Sequence, residues 1–260
     1  MSQVETSSNS NDGSEVALIV GGGPGISASC AKLFSKNGFR VAIAARNPDK
    51  PVLAQLEVDH GVRRYPCDAT DPLAVTALFE SVKQDLGVPS LVVHNIDGRV
   101  AEIFRKPLTE ADPTLVLDTI RNSALSAFLV GQNSAKLMLG APPNAQAKRG
   151  TIIFTNASAA KKGYPLSAAF AMACRAKAGL AESMARELMP QGIHVAHVPI
   201  DAAVGWTHED GSRAHRLAGP SIDDNLADPA HIAEMYLQLH RQHRSTWAFE
   251  VVLRPWIEKW

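Results

Sequence analysis

The sequence predicts an α/β fold, a single Rossmann-type doubly wound sheet of about seven parallel strands with helices on both faces, and three observations carry that expectation. First, an apolar run, Val16-Ala17-Leu18-Ile19-Val20, passes through the turn Gly21-Gly22-Gly23-Pro24-Gly25 into a helical pattern from Ile26 to Lys36. Second, short apolar runs alternate with amphipathic stretches along the rest of the chain, as they do in a parallel sheet covered on both faces. Third, 260 residues with 45% hydrophobic content suit one sizeable core.

Met1 to Glu15 is polar, rich in Ser and Asn and without an apolar centre, so it reads as a disordered tail rather than a secretion signal, and the remainder, 16–260, as one domain of an intracellular, cytoplasmic protein. The strands fall at roughly Val16–Val20, Arg40–Ala44, Val62–Pro66, Ser90–Val93, Thr151–Thr155, His194–Val198 and Ala248–Leu253. Asn37-Gly38 closes the first helix, and Asp112-Pro113 opens a long one to about Leu139. Ala141 to Gly150 is a loop. From Asp201 to about Ala227 the chain is polar and weakly periodic, which inside a compact domain reads as a substrate lid. The C-terminal Arg254-Pro255-Trp256-Ile257-Glu258-Lys259-Trp260 is unusually aromatic; it either covers a neighbouring subunit or packs on the last strand.

Lys+Arg and Asp+Glu both number 26, so no net field draws the chain to nucleic acid or an anionic membrane, and small molecules are the expected partners. No apolar run is long enough to span a bilayer. Cys30, Cys67 and Cys174 are scattered without metal-ligand spacing and read as reduced, buried thiols, with no metal expected. His94, His194 and His197 lie near strand ends and read as packed or hydrogen-bonded histidines.

The glycine turn carries the first chemistry. A strand entering such a turn aims the free N–H groups and positive dipole of the next helix at whatever lies above it, and Gly21, Gly23 and Gly25, followed by Ile26, let a pyrophosphate approach the backbone. At the end of the second strand an NAD-binding chain usually places an acid on the ribose 2′-hydroxyl, whereas here Ala45 precedes Arg46. The planar guanidinium of Arg46 suits a 2′-phosphate, favouring NADP(H), or else it is a solvated surface cation.

These motifs resemble the short-chain dehydrogenase/reductase family over nearly everything from Val16 onward. The glycine turn is similar to that family's Gly-x-x-x-Gly-x-Gly, with Ser27 where the last glycine belongs. By the resemblance, Asp68 contacts the adenine ring, although it also suits capping the helix opened by Asp71-Pro72. The family's Asn-Asn-Ala-Gly is His94-Asn95-Ile96-Asp97 here, so Asn95 is retained. Ser158 matches the catalytic serine and Ser123 the helix asparagine. Counting back from Ser183-Met184-Ala185-Arg186-Glu187-Leu188, the family's Tyr-x-x-x-Lys falls on Phe170 and Cys174, which lack its proton donor and its ammonium. Tyr164 and Lys177 are near in sequence but out of register.

Hydride delivery to a ketone needs a proton donor, whereas delivery to an iminium only neutralises its charge. One branch of the family fits this loss, the fungal NADPH-dependent reductase/Diels–Alderases that build the bridged diazaoctane ring of prenylated indole alkaloids. That resemblance implies a prenylated cyclic iminium or zwitterion as substrate, Arg121 on the long helix and Asn156 after the fifth strand (an acid in that branch) as catalytic residues with Ser158 and Asp201, and Ile200-Asp201-Ala202-Ala203 in place of the family's Pro-Gly beside the nicotinamide. Phe170, Met172, Cys174 and Trp206 would line the pocket, and the protein would be a dimer or tetramer. Arg121 also reads as a surface residue paired with Asp118, and Phe170 and Met172 as core. A conventional carbonyl reductase with a recruited acid such as Tyr164 or His208, and a non-catalytic NADP(H)-binding protein, are the other two readings.

Overall fold

A computed structural model describes residues 14–205 and 225–258. Six strands, β1 (Val16–Val20), β2 (Arg40–Ala45), β3 (Arg63–Pro66), β4 (Leu91–His94), β5 (Gly150–Ala157) and β6 (Ile193–Ile200), form one parallel sheet in the order β3-β2-β1-β4-β5-β6. Because strand side chains alternate, Leu18 and Val20 of β1 pack into one layer and Ala17 and Ile19 into the other. The first layer is closed by α3 (Pro72–Asp85), α5 (Ser126–Gly140) and α6 (Ala168–Leu188), the second by α1 (Ile26–Lys36), α2 (Pro51–His60) and α7 (Pro229–Arg241). The strand order reverses between β1 and β4, which opens a crevice above the C-terminal ends of these strands.

Local chemistry places the helices. Asp71, Asp112 and Asp228 each precede a proline, and each carboxylate accepts the N–H two residues on, at 2.8, 2.8 and 2.7 Å. The long helix begins at Pro113 as expected but is divided: α4 (Pro113–Ile120) passes through a π turn at Arg121–Leu125 before α5. Such a turn widens the helix where a side chain must be re-aimed, here beside the β4 turn, with Gly98 packed directly on Ser123.

Two expectations are corrected, and a third falls mostly outside the described residues. The seventh strand is a discontinuous edge: Phe249 O and Leu253 O accept from His197 N and Asp201 N, and His197 O and Pro199 O accept from Val251 N and Leu253 N, yet only two isolated bridges form. The gap falls at Pro199, which has no N–H to continue the ladder. Glu15, counted with the tail, is fastened to the domain, its carboxylate accepting from Ser90 Oγ at 3.0 Å and meeting His240 Nε2 at 3.1 Å; residues 1–13 lie outside the described residues. Most of the expected lid, 206–224, lies outside them too, but its two ends meet, with Ala227 N donating to Ala203 O and Gly205 N to Ala227 O.

Candidate active site

The glycine turn sits at the crevice as its sequence requires. Gly21 has φ +107°, and a Cβ there would lie 2.2 Å from the Asn95 carbonyl oxygen, so the position admits only glycine. Gly23 and Gly25 face open space, leaving the start of α1 accessible. Ser27, in place of the last family glycine, is buried and ties two turns together: its hydroxyl donates to Gly21 O at 2.7 Å and accepts from Asn95 Nδ2 at 2.7 Å.

A cleft of about 420 Å³ runs from this turn over the end of β2, with Gly21, Arg46, Asp68 and Asn95 on its wall. Asp68 does not cap α3; Asp71 does, while Asp68 Oδ1 accepts from Thr70 N and Oγ1, which together hold its carboxyl below the usual range. Lys50 is a cation that sequence reading missed. Its Nζ donates to Gly22 O at 2.9 Å on the same wall as Arg46, and a lysine one residue before a helix-opening proline was the available signal.

The cleft continues into a cavity of about 610 Å³, lined among the described residues by Gly23, Gly25 and Ile26 from the glycine turn, by Asn95 to Asp97, and by Asn156, Phe170, Lys177 and Ile200. Asn156 is fully engaged. Its Nδ2 donates to Cys174 O at 2.9 Å and to His197 Nε2 at 2.8 Å, and its Oδ1 accepts from Ala157 N. Because a carbonyl only accepts, the atom beside Cys174 O is the amide nitrogen; His197 Nε2 is then an acceptor, and its Nδ1 donates to Glu250 at 3.0 Å. Burial holds the His197 pKa below its usual value and keeps it neutral, with Glu250 and Lys161 ending the chain at the surface. His94 and His194 are hydrogen-bonded in the same structural sense, His94 to Ser126 and His194 to two carbonyls.

Several residues assigned to the site stand elsewhere. Arg121, the first residue of the π turn, has a side chain 60% exposed and pairs with Asp118 at 3.6 Å. Met172 is 53% exposed, on the outer face of α6. Cys174 is buried against Ala159 and Ala160, off the cavity wall, and burial pushes its thiol up to about 11. Asp201 is held behind the wall by Lys162 at 3.1 Å and Arg254 at 3.8 Å. Trp206 and His208 lie outside the described residues.

Two residues read as out of register reach the cavities after all. Lys177, one helical turn beyond Cys174, sends its buried ammonium to the wall, where Nζ donates to Ile96 O at 2.9 Å and Thr155 O at 3.3 Å. Tyr164 brings its hydroxyl to 3.3 Å from Ser158 Oγ in a recess of about 490 Å³ that adjoins Phe170 and Ile200. The free thiols and the described acids form no metal-binding group.

A family model described as "Enoyl-(Acyl carrier protein) reductase" matches residues 21–247. The chain belongs to the short-chain dehydrogenase/reductase family. It is similar to the 3-oxoacyl-[acyl-carrier-protein] reductase MabA of Mycobacterium tuberculosis, 28% identical over 77% of this chain and 72% of that one. It is also similar to a 3beta-hydroxysteroid dehydrogenase of Mediterraneibacter gnavus, 27% identical over 69% of this chain and 62% of that one. Among solved structures, a short-chain dehydrogenase from Rhodopseudomonas palustris superposes with TM-score 0.74 at 31% identity over 93% of this chain and 99% of that one. A metagenomic short-chain oxidoreductase in complex with NADP shares the fold, with TM-score 0.75 at 24% identity over 94% and 98%.

In this short-chain dehydrogenase/reductase the cleft fits NADP(H): open glycines at the start of α1, no acid at Ala45, and Arg46 and Lys50 on one wall. Arg46→Ala is expected to cost about 1.5–3 kcal/mol of NADPH affinity while leaving NADH binding nearly unchanged, a ratio read by titration. An unchanged ratio would remove Arg46 from phosphate recognition.

Lys177 makes a pH signature. Burial pulls its pKa from 10.5 down to about 8. Between those values the unfolded chain holds a proton that the folded chain has lost, so stability rises with pH by up to about 1.4 kcal/mol per unit; below pH 8 both states are protonated and the contribution is flat. Lys148, drawn to about 8 for the same reason, adds to the slope. Urea melts from pH 7.5 to 10 are expected to show the rise in the wild type and a shallower one in Lys177→Met.

Proposed function

We propose that this protein is an NADPH-dependent reductase of a prenylated cyclic iminium or zwitterion, and that the same cavity then guides an intramolecular Diels–Alder cycloaddition to the bridged diazaoctane ring. One observation carries the reading: a cavity large enough for a polycyclic substrate has the Phe170 ring on its wall and, among the described residues, no tyrosine lining it. Bound NADPH would supply the hydride. Its transfer to an iminium carbon gives a neutral amine and NADP+ with no proton to place, so the missing phenol costs nothing. Asn156 turns its amide protons into the wall, toward Cys174 O and His197, and Phe170 and Ile200 offer apolar surface to a prenylated ring system. Lys177 and Arg99 on the wall favour the zwitterion over a free cation, because they repel a bare positive charge and attract an oxyanion.

Carbonyl reduction is the second reading, and the contact between Ser158 Oγ and Tyr164 Oη favours it by offering a donor pair in the adjoining recess. Incubation with NADPH and either a reactive cyclic iminium or simple ketones, followed by nicotinamide absorbance, separates the two. Iminium turnover that survives Tyr164→Phe supports the first; ketone turnover abolished by Tyr164→Phe supports the second, and neither activity points to a non-catalytic nucleotide-binding protein.

The long helix leaves Leu117, Leu125 and Phe128 exposed, which suits the dimer or tetramer that the family resemblance implies. Light scattering at micromolar concentration is expected to give a dimer or larger, and Phe128→Glu to shift it toward monomer.

A further inference from the structure

Arg99 touches every part of the site. It lines the nucleotide cleft, the main cavity and the recess near Tyr164, so it stands where the three meet. It lies two residues after His94-Asn95-Ile96-Asp97, the segment that stands where the family has Asn-Asn-Ala-Gly. Its guanidinium carbon lies 4.0 Å from the centroid of the Phe170 ring and 5.4 Å from that of Phe104, and Nη1 donates to Asp97 at 2.8 Å. Two aromatic faces and one ion pair fix the group's plane while leaving most of its donors unused. Nε is buried with no hydrogen-bond partner among the described residues. The donors not shut in with Nε are those of the two terminal nitrogens, of which only Nη1 is engaged, by Asp97.

The surrounding charge points the same way. Among the described residues, the main cavity wall carries Arg99, Arg105 and Lys177 against a single carboxylate, Asp97, which is already paired with Arg99. Among the described residues the recess wall carries Arg99 and Arg105 with no carboxylate. Lys177 faces two backbone carbonyls, whereas the planar fork of Arg99 matches an oxyanion with two acceptor sites.

We infer that Arg99, seated on the Phe170 ring, is the receptor for a negatively charged oxygen of the substrate, and that the substrate is an aromatic or other planar molecule bearing such an oxygen. The guanidinium seated on the Phe170 ring thus attracts and orients an oxyanion through its planar fork of donors. The inference rests on the proposed function only in taking this cavity as the substrate's place, and it assigns the oxide half of a zwitterion to Arg99.

The test is a binding experiment that needs no turnover. Indole-2-carboxylate and its uncharged isostere indole-2-carboxamide are titrated into the NADPH-saturated protein, in the wild type and in Arg99→Gln, Arg99→Lys and Phe170→Leu. The expected result is a preference for the carboxylate of about tenfold in the wild type, abolished in Arg99→Gln and partly kept in Arg99→Lys. Phe170→Leu, which removes the platform but not the charge, should give an intermediate ratio. A wild type that binds neither compound, or binds both equally, overturns the inference. So does Arg99→Gln with its preference intact, which would hand the anion to Lys177 or Arg105, or an equal loss of NADPH affinity in Arg99→Gln, which would assign the guanidinium to the nucleotide. Loss of iminium turnover with the preference intact would instead sink the proposed reaction alone.

Discussion

Gly21→Ala is expected to weaken NADPH binding by on the order of a hundredfold and to lower the melting temperature. At φ +107° a Cβ is strained, at a cost of about 1–3 kcal/mol. The added carbon would also sit 2.2 Å from Asn95 O and 2.9 Å from Ile96 Cγ1, both in the turn after β4, so that turn has to move. Its displacement breaks the link from Asn95 through Ser27 to Gly21 and shifts Ile96 O, which accepts from Lys177. Damage thus spreads from the phosphate turn to the cavity. Ala substitution at Gly23, where a Cβ meets nothing, is the control: it should fold normally and lose affinity only through contact with the nucleotide. Equal melting temperatures for the wild type and Gly21→Ala would show that the turn tolerates a side chain.

Asn156→Asp is expected to raise turnover on a cyclic iminium, with a gain that depends on pH. A carboxylate in the cavity wall stabilises a cation that an amide can only hydrogen-bond, and positioned acid–base groups contribute roughly a hundredfold to ten-thousandfold. The neighbours set the condition. In place of a donor to Cys174 O and His197 Nε2, the variant presents an acceptor to both, so His197, already facing Glu250, takes up a proton. Its pKa moves from below the usual histidine value to above it. Below that new pKa the imidazolium neutralises the carboxylate and the gain is small; above it the gain is full. Lys161, ion-paired with Glu250, and Lys177 oppose the protonation and keep the new pKa within a measurable range. Histidine NMR titration follows the shift, and turnover against pH follows its consequence. An Asn156→Asp variant inert at every pH would end the case for charge stabilisation at this position.

The layered fold was legible because its signals are local and repeated. The run 16–20, the glycine turn and the Asp-Pro helix starts each act through their own neighbours, and the structure places each where the sequence puts it. The seventh strand failed on one atom, the missing N–H of Pro199, since apolar periodicity reports burial and not ladder continuity. The catalytic face failed differently. Counting along α6 assigned the family's ammonium position to Cys174 and so removed a cation from the site. A helix offers two or three residues per turn to the same face, and a lysine side chain is long enough to reach the cavity from position 177.

By itself the sequence determined the parallel α/β architecture, the glycine turn that opens α1 and the absence of an acid at Ala45, because backbone conformation, side-chain period and residue type are properties of neighbouring residues. Only the tertiary structure decided that Arg121 faces solvent, that Asp201 is latched by Lys162 and Arg254, that Asn156 turns its donors toward His197, and that Arg99 lies on Phe170. Each of those outcomes depends on where a side chain from one element ends relative to another element far away in the chain. That distance is fixed by packing of the sheet and its helices, and no local pattern records it.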